Sequence, residues 1–139
     1  MHKDDVKRLI GQCRELIDAV YEGDPQTISD RALSLQSFLD ARNKTKVIFR
    51  KFKQGGDIIA FFPELPGTNS PNTCMNYMHI GQHGHGDANC GHTIPAKRAE
   101  YMPLLKELRS IGYNLEIVNK FAPAHRAKRV AELDRKYKA

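Results

Sequence analysis

The sequence predicts an α+β protein: an N-terminal antiparallel helical hairpin, then a small antiparallel β-sheet with a packing helix and a basic C-terminal helix. Over residues 1–43, apolar residues recur at three- and four-residue steps, which is the period of an amphipathic helix. From Thr45 the pattern changes to short runs rich in β-branched and aromatic residues, as is typical of strands. We therefore expect two domains, a hairpin over 1–43 and an α+β domain over 44–139.

The first helix is predicted from an apolar stripe that runs from Val6 to Val20. Gly23 is placed to end it in a left-handed conformation, and Asp24 and Pro25 then form the N-cap and first position of a second helix. A lone hairpin buries only one side of each helix. We therefore expect it to pack on the rest of the chain or on other copies of itself, and we favour self-association.

Three strands are predicted next, over residues 46–53, 58–62 and 73–80, as an antiparallel meander. Residues 54–57 have the composition of a hairpin turn, and Pro63 is expected to end the second strand. After the third strand the chain is predicted to become a glycine-rich loop.

Two helices and a short strand complete the predicted domain. The first helix covers residues 99–111 and ends at Gly112, and a strand follows over residues 115–118. Pro123 opens a final helix that is rich in lysine and arginine. The apolar stripe of that helix is thin: Val130, Leu133 and Tyr137. We therefore expect it to lie on the surface.

Charge is distributed unevenly along the chain. Residues 1–42 hold six basic and eight acidic side chains, whereas the remainder holds sixteen basic and eight acidic ones. This excess favours an anionic partner such as a nucleotide or another phosphate-bearing ligand, although a solvated basic face is the alternative. The sequence has no apolar run that would span a membrane, no secretory signal and no disulfide framework, so we expect a cytoplasmic protein.

The segment over residues 76–93 concentrates the chemistry, with four of the six histidines and four glycines. A zinc site in this segment would use His83, His85, Cys90 and His92. The spacing contains neither a CxxC pair nor an HExxH helix. We therefore expect no metal and no other cofactor.

An anion-binding loop is the hypothesis that we favour for this segment. Gly81, Gly84 and Gly86 would let backbone N–H groups turn toward a phosphate, although no lysine follows as in a P-loop. The predicted ligand contacts are Arg50, His79, Gln82, His83, His85, Asp87, Arg126 and Arg129. The rings that would stack on a base are Tyr77, Phe52 and Phe121. Alternatively, the glycines only shape a loop and the histidines are solvated.

The central part of the chain resembles a family of small, mostly uncharacterised phage and prophage proteins. The resemblance is carried by the motif His79-Ile-Gly-Gln-His83-Gly and by the strand sequences before it. A later part of the family pattern is matched by Glu100-Tyr-Met-Pro-Leu and by Ile111-Gly-Tyr. The match covers about two-thirds of the chain. It implies a phage origin without giving an activity.

The N-terminal hairpin, with Asp30-Arg-Ala-Leu-Ser-Leu in its second helix, is similar in layout to phage sponge proteins of the anti-CBASS and Thoeris anti-defence types. Such proteins oligomerise and sequester cyclic nucleotides or cyclic ADP-ribose isomers without cleaving them. The resemblance implies a non-enzymatic sponge whose subunits join through the hairpins. Two alternatives stay open: a metal- or histidine-dependent phosphodiesterase acting on a similar ligand, and a nucleic-acid-binding accessory protein.

Overall fold

The computed structural model describes residues 2–79 and 81–138, and the α+β class is confirmed. The chain divides after Asn43 into two compact units. Within the described ranges, no helix is both long enough and apolar enough to cross a membrane.

The first unit is the predicted hairpin, formed by α1 (Lys3–Glu22) and α2 (Pro25–Arg42). Gly23 ends α1 with a φ of 73°, and the Asp24 side chain accepts hydrogen bonds from the first backbone N–H groups of α2. The predicted helix stop and N-cap are therefore confirmed. Phe38 is buried, and the Arg8 guanidinium of α1 lies 4.9 Å from the centroid of its ring.

The second unit is built on a six-stranded sheet. Its strands are β1 (Thr45–Phe52), β2 (Ile58–Pro66), β3 (Thr73–Met78), β4 (Gln82–Asp87), β5 (Thr93–Pro95) and β6 (Leu115–Ile117). The order is β4-β3-β2-β1-β5 with antiparallel neighbours, and β6 runs parallel to β1. The sheet is therefore mixed rather than wholly antiparallel, because β6 runs in the same direction as β1.

The predicted glycine-rich loop is wrong, because residues 82–87 form β4 and pair along the whole of β3. Gly84 and Gly86 lie opposite Asn76 and Cys74 in this ladder. A Cβ atom at Gly84 would come within 2.9 Å of the Asn76 amide oxygen. Close packing inside a sheet, rather than a phosphate-binding loop, thus accounts for this glycine.

Pro63 does not end β2, which continues to Pro66. The pairing of β2 with β3 shifts its register between Phe62 and Pro66, so the ladder has an irregularity where Pro63 offers no N–H group.

Each face of the sheet carries its own core. On one face, α3 (Arg98–Ser110) packs Leu104 and Leu108 against Phe62 and Tyr77. On the other face, Cys90 from the β4–β5 connection covers a cluster that includes Ile59 and Phe61. Both cores are therefore completed by segments that lie outside the central strands.

The last helix, α4 (Pro123–Tyr137), packs against β2. The residues that it buries are His125, Arg129 and Leu133. Of the predicted stripe only Leu133 is buried, and Tyr137 is 62% exposed. The stripe prediction failed because the buried face of α4 includes polar side chains.

The β4–β5 connection shows that the sheet is strongly curved. It joins the two edge strands, which in a flat sheet would lie about 19 Å apart, or four strand spacings. The connection instead makes two successive turns, closed by hydrogen bonds from Cys90 to Asp87 and from Thr93 to Cys90. Two such turns span less than about 14 Å. The sheet must therefore curl around the face that Cys90 covers.

Candidate functional site

A cavity of about 750 Å³ lies beside the β3–β4 turn and the C-terminal end of α3, and we call it the tyrosine cavity. Its lining residues are Tyr77, Gly81, His83, Glu107, Ile111, Gly112 and Tyr113. It is a shallow depression that opens widely to solvent, and its volume falls in the range of small-molecule sites.

Glu107 is the centre of the hydrogen bonds at this cavity. One of its carboxylate oxygens accepts from the Tyr77 hydroxyl, and the other lies against Nδ1 of His79. The Tyr77 hydroxyl in turn accepts from the Gly81 N–H at 2.9 Å. The β3–β4 turn is therefore tied to α3 through one phenol and one carboxylate.

A second pair stands beside this network. Nε2 of His83 lies 3.0 Å from the hydroxyl of Tyr113, and the His83 ring meets the Tyr77 ring edge-on with centroids 4.7 Å apart. Tyr113 stacks on Phe62 at 5.1 Å. These contacts fix the wall of the cavity, because the His83 ring packs on Tyr77 and the Tyr113 ring packs on Phe62.

Two glycine-based reversals of the chain bring these residues together. Gly81 has a φ of 72° in the turn between β3 and β4, which places His79 before the turn and His83 after it. Gly112 has a φ of 107° just after α3 and so places Tyr113 beside the same cavity. Two motifs that are separate in the sequence therefore meet at one cavity.

The electrostatics make Tyr77 a hydrogen-bond donor rather than a base. The bond to the Glu107 carboxylate raises the pKa of Tyr77, and desolvation adds to this effect. The contact of His79 with Glu107 uses Nδ1, so Nε2 is the nitrogen that can meet a ligand. A histidine oriented by a carboxylate in this way can bind a phosphate or move a proton.

A second cavity, of about 570 Å³, lies under the β4–β5 connection, and we call it the crossover cavity. Ile59, Phe61 and Met78 are among its apolar lining residues. The predicted site residues that also line it are His85, Asp87, Cys90 and His92.

The thiols on this side of the sheet are neutral at physiological pH. Burial is the main reason that the pKa of Cys90 is raised to about 11 and that of Cys74 to about 12. A protonated thiol is a poor nucleophile and a poor metal ligand.

The predicted site residues are thus divided between several places. His83 lines the tyrosine cavity and His79 contacts its Glu107, whereas His85 and Asp87 line the crossover cavity. Gln82 is exposed at the start of β4. The structure therefore divides the residues of this one segment between two cavities.

The three predicted arginines lie elsewhere. Arg50 donates to the hydroxyl and the carbonyl oxygen of Thr93, at 3.0 and 2.9 Å, and so fastens β5 to β1. Arg129 is 4% exposed and donates to backbone carbonyl groups, whereas Arg126 is exposed on α4. In the described chain, the lining of neither cavity includes these side chains.

The conditional zinc ligands are not assembled into a site, since His83 lines one cavity while His85, Cys90 and His92 line the other. Over residues 2–79 and 81–138, no three His, Cys, Asp or Glu side chains converge in a way that could hold a metal ion.

Glu107 and Tyr113 were missed as site residues. One signal for Glu107 was present: it stands three residues after Leu104 and four before Ile111, so it borders the apolar stripe of α3. Tyr113 belongs to the Ile-Gly-Tyr motif, but nothing in the sequence placed that motif beside His83.

No protein-family profile, curated protein or solved structure to which we compared the chain matches it. Its fold and site therefore have to be interpreted from its own residues.

Proposed function

We propose that this protein binds a small nucleotide-type molecule in the tyrosine cavity and sequesters it without cleaving it. The observation that carries the proposal is the meeting of two separate motifs, around His83 and Tyr113, at one cavity of ligand size. In the setting that the resemblances imply, the ligand is a cyclic nucleotide or a cyclic ADP-ribose isomer. The protein is then a phage-encoded sponge in the host cytoplasm, with subunits joined through the hairpins.

The chemistry of the cavity suits a nucleoside with a phosphate. The rings of His83 and Tyr113 offer apolar surface for a base. The Glu107 carboxylate accepts hydrogen bonds, which suits ribose hydroxyl groups, and Nε2 of His79, the ring nitrogen that does not contact Glu107, can meet a phosphate. The basic excess after residue 42 would attract such an anion from a distance.

Sequestration without cleavage is favoured by the state of the possible nucleophiles. The Cys74 and Cys90 thiols are held in the protonated form by burial, and the raised pKa of Tyr77 keeps its hydroxyl neutral. The two thiols also lie outside the tyrosine cavity, and the phenol at that cavity is a hydrogen-bond donor rather than a nucleophile.

The test is mass spectrometry of the protein after incubation with cyclic dinucleotides, cyclic trinucleotides and cyclic ADP-ribose isomers. We expect one of these ligands to bind and to be recovered intact when the complex is denatured. Glu107→Gln and Tyr113→Phe should each weaken binding by about tenfold, the effect of losing one hydrogen bond to a charged or buried partner. Glu116→Gln and Tyr101→Phe are matched controls, because neither side chain lines the cavity. Failure of every compound to bind, or unchanged affinity in both cavity variants, would overturn the proposal.

A second candidate function is a histidine-dependent phosphodiesterase, and the observation that favours it is the contact between His79 and Glu107. A carboxylate that fixes Nδ1 of an imidazole leaves Nε2 oriented as a general base, and His83 could act as the acid. Recovery of cleaved nucleotide would favour this candidate over the sponge. That turnover should be lost in His79→Gln and should persist in the presence of a chelator.

The nucleic-acid alternative rests on the exposed basic side chains of α4, such as Arg126 and Lys128. Arg135 of this helix is already paired with Glu132, and Lys138, at its C-cap, is paired with Asp134. Binding to oligonucleotides that strengthens with their length and weakens steeply with salt would support this alternative.

A further inference from the structure

Helix α1 carries two parallel rows of residues, and one of them faces α2. Asp5 in this row pairs with Arg42 at 2.7 Å, Gln12 donates to Ser34 at 3.4 Å, and Ala19 is buried. This row accounts for the packing of the hairpin itself.

The second row is apolar and exposed except at its half-buried central residue, Cys13. Its members are Val6, Ile10, Cys13, Ile17 and Val20. Their spacing of four, three, four and three residues is that of a coiled-coil seam. Ile10 is 46% exposed, Ile17 54% and Val20 57%, so the hairpin does not use this seam.

The two rows are offset by one residue, which is about 100° around the helix. A second helix can therefore pack on the exposed seam while α2 stays in place. Each helix of a four-helix bundle has two neighbours in the same way.

The seam has nearly the same sequence in both directions. Valine stands at each end, isoleucine comes next on each side, and Cys13 is at the centre. If a second copy of α1 lies antiparallel on the first, Val6 comes close to Val20 of the other copy, and the two Cys13 residues lie near the two-fold axis. An isologous interface requires self-complementarity of this kind.

The charges along α1 favour the same orientation. Residues 3–14 carry four basic and two acidic side chains, whereas residues 15–22 carry three acidic and no basic ones. Antiparallel pairing sets the basic half of one helix beside the acidic half of the other. Parallel pairing would instead set the two basic halves beside each other, and likewise the two acidic halves. The helix dipoles add to the preference for the antiparallel arrangement.

We infer that two copies of this chain associate by antiparallel pairing of their α1 helices along the seam of Val6, Ile10, Cys13, Ile17 and Val20. This inference gives a geometry to the hairpin association of the proposed sponge. It does not depend on the ligand of the tyrosine cavity.

The association is tested on the full chain by sedimentation and by a short bis-maleimide. We expect a dimer that becomes covalent through Cys13, since Cys74 and Cys90 are buried and react slowly. Ile17→Glu should give a monomer. The matched control is Leu33→Glu, which changes an exposed apolar residue of α2 outside the seam and should leave the dimer intact.

The orientation is tested with Val6→Cys and Val20→Cys in a Cys13→Ser background. Co-expressed together, the two variants should cross-link to one another, and neither should cross-link efficiently to itself. Self-cross-linking of Val6→Cys would show a parallel pair, and a monomer at micromolar concentration would show no pair; either result overturns the inference. Ligand binding by the Ile17→Glu monomer, measured separately, keeps this result distinct from failure of the proposed function.

Discussion

The hydroxyl of Tyr77 donates to the carboxylate of Glu107 and so joins strand β3 to helix α3 at the edge of the tyrosine cavity. The same oxygen accepts from the N–H of Gly81, which fixes the turn that separates His79 from His83. The Tyr77 hydroxyl thereby stabilises the packing of α3 on the sheet and also fixes the geometry of the candidate site.

Replacing Tyr77 with Phe should destabilise the protein and lower its Tm by about 4–8 °C, the shift expected for one net hydrogen bond in a domain of this size. Thermal unfolding followed by circular dichroism measures the change. Tyr101→Phe is the matched control, because the Tyr101 ring stacks on Phe49 and should keep that contact. An equal loss in both variants would contradict the role given to the Tyr77 hydroxyl.

Tyr77→Phe should also change how the free energy of unfolding depends on pH in the alkaline range. The pKa of Tyr77 is raised from its ordinary value of 10.0, chiefly by the bond to Glu107, so the fold stabilises the protonated phenol. That contribution is complete below pH 10 and is lost as the pH rises through the pKa of the folded state. Above pH 10, wild type should therefore lose stability faster than Tyr77→Phe in urea titrations at a series of pH values.

Gly67 should not tolerate even a methyl group. A Cβ atom there would lie 2.7 Å from the carbonyl oxygen of Cys74 and 2.5 Å from the Cβ of His85, and a backbone atom cannot move aside cheaply. Gly67→Ala is expected to cost about 1–3 kcal/mol of unfolding free energy in urea. Gly91→Ala, whose added Cβ meets nothing within 4 Å, should be nearly neutral. Equal stability of the two variants would contradict the close approach at Gly67.

Arg129 and Arg126 lie on the same helix and should respond differently to alanine. The buried Arg129 guanidinium donates to the carbonyl oxygens of Pro63 and Pro71, whereas Arg126 is exposed. Arg129→Ala would leave both carbonyl groups without their donor and should cost about 2–4 kcal/mol. Arg126→Ala should change the unfolding free energy by less than about 0.5 kcal/mol. A neutral Arg129→Ala would show that the two carbonyl groups find other donors.

His125 should make the protein less stable in mild acid. Its Nδ1 accepts from the N–H of Ala122 at the start of α4, and burial lowers the pKa of this imidazole from its ordinary value of 6.5. Because the unfolded chain takes up the proton more readily, the stabilisation is present above pH 6.5 and is lost as the pH falls through the lowered value.

The variant His125→Gln keeps an acceptor for that N–H without a titrating group. Its Tm should therefore fall less than that of wild type between pH 7 and pH 5. His92→Gln, which changes an exposed histidine, should keep the wild-type profile. A wild-type profile in His125→Gln would assign the acid sensitivity to another residue.

The hairpin and the β1–β2 pair could be predicted because their signals are local. Gly23 and Asp24 end one helix and begin the next through backbone geometry that these residues favour in any context. Strand β4 could not be predicted, since glycine has a low strand propensity and Gly84 lies close to the Asn76 side chain across the ladder. That contact exists only once β3 is in place.

The candidate site was predictable in part for the same reason. His83 could be singled out by its neighbours in the sequence, but Glu107 lies at the same cavity only because α3 packs on the sheet. The role of Arg129 was equally non-local, since its charge suggested a phosphate whereas its burial directs the guanidinium to backbone carbonyl groups.

The position of β4 at the end of the strand order has a consequence for how the molecule behaves in solution. In the described chain its one sheet neighbour is β3, so its other side presents backbone groups to which a foreign strand could pair. Its sequence, Gln-His-Gly-His-Gly-Asp, contains no aliphatic or aromatic hydrocarbon side chain whose burial would stabilise pairing with a foreign strand. The composition of this strand should therefore protect the protein from edge-to-edge aggregation whatever its cavities bind.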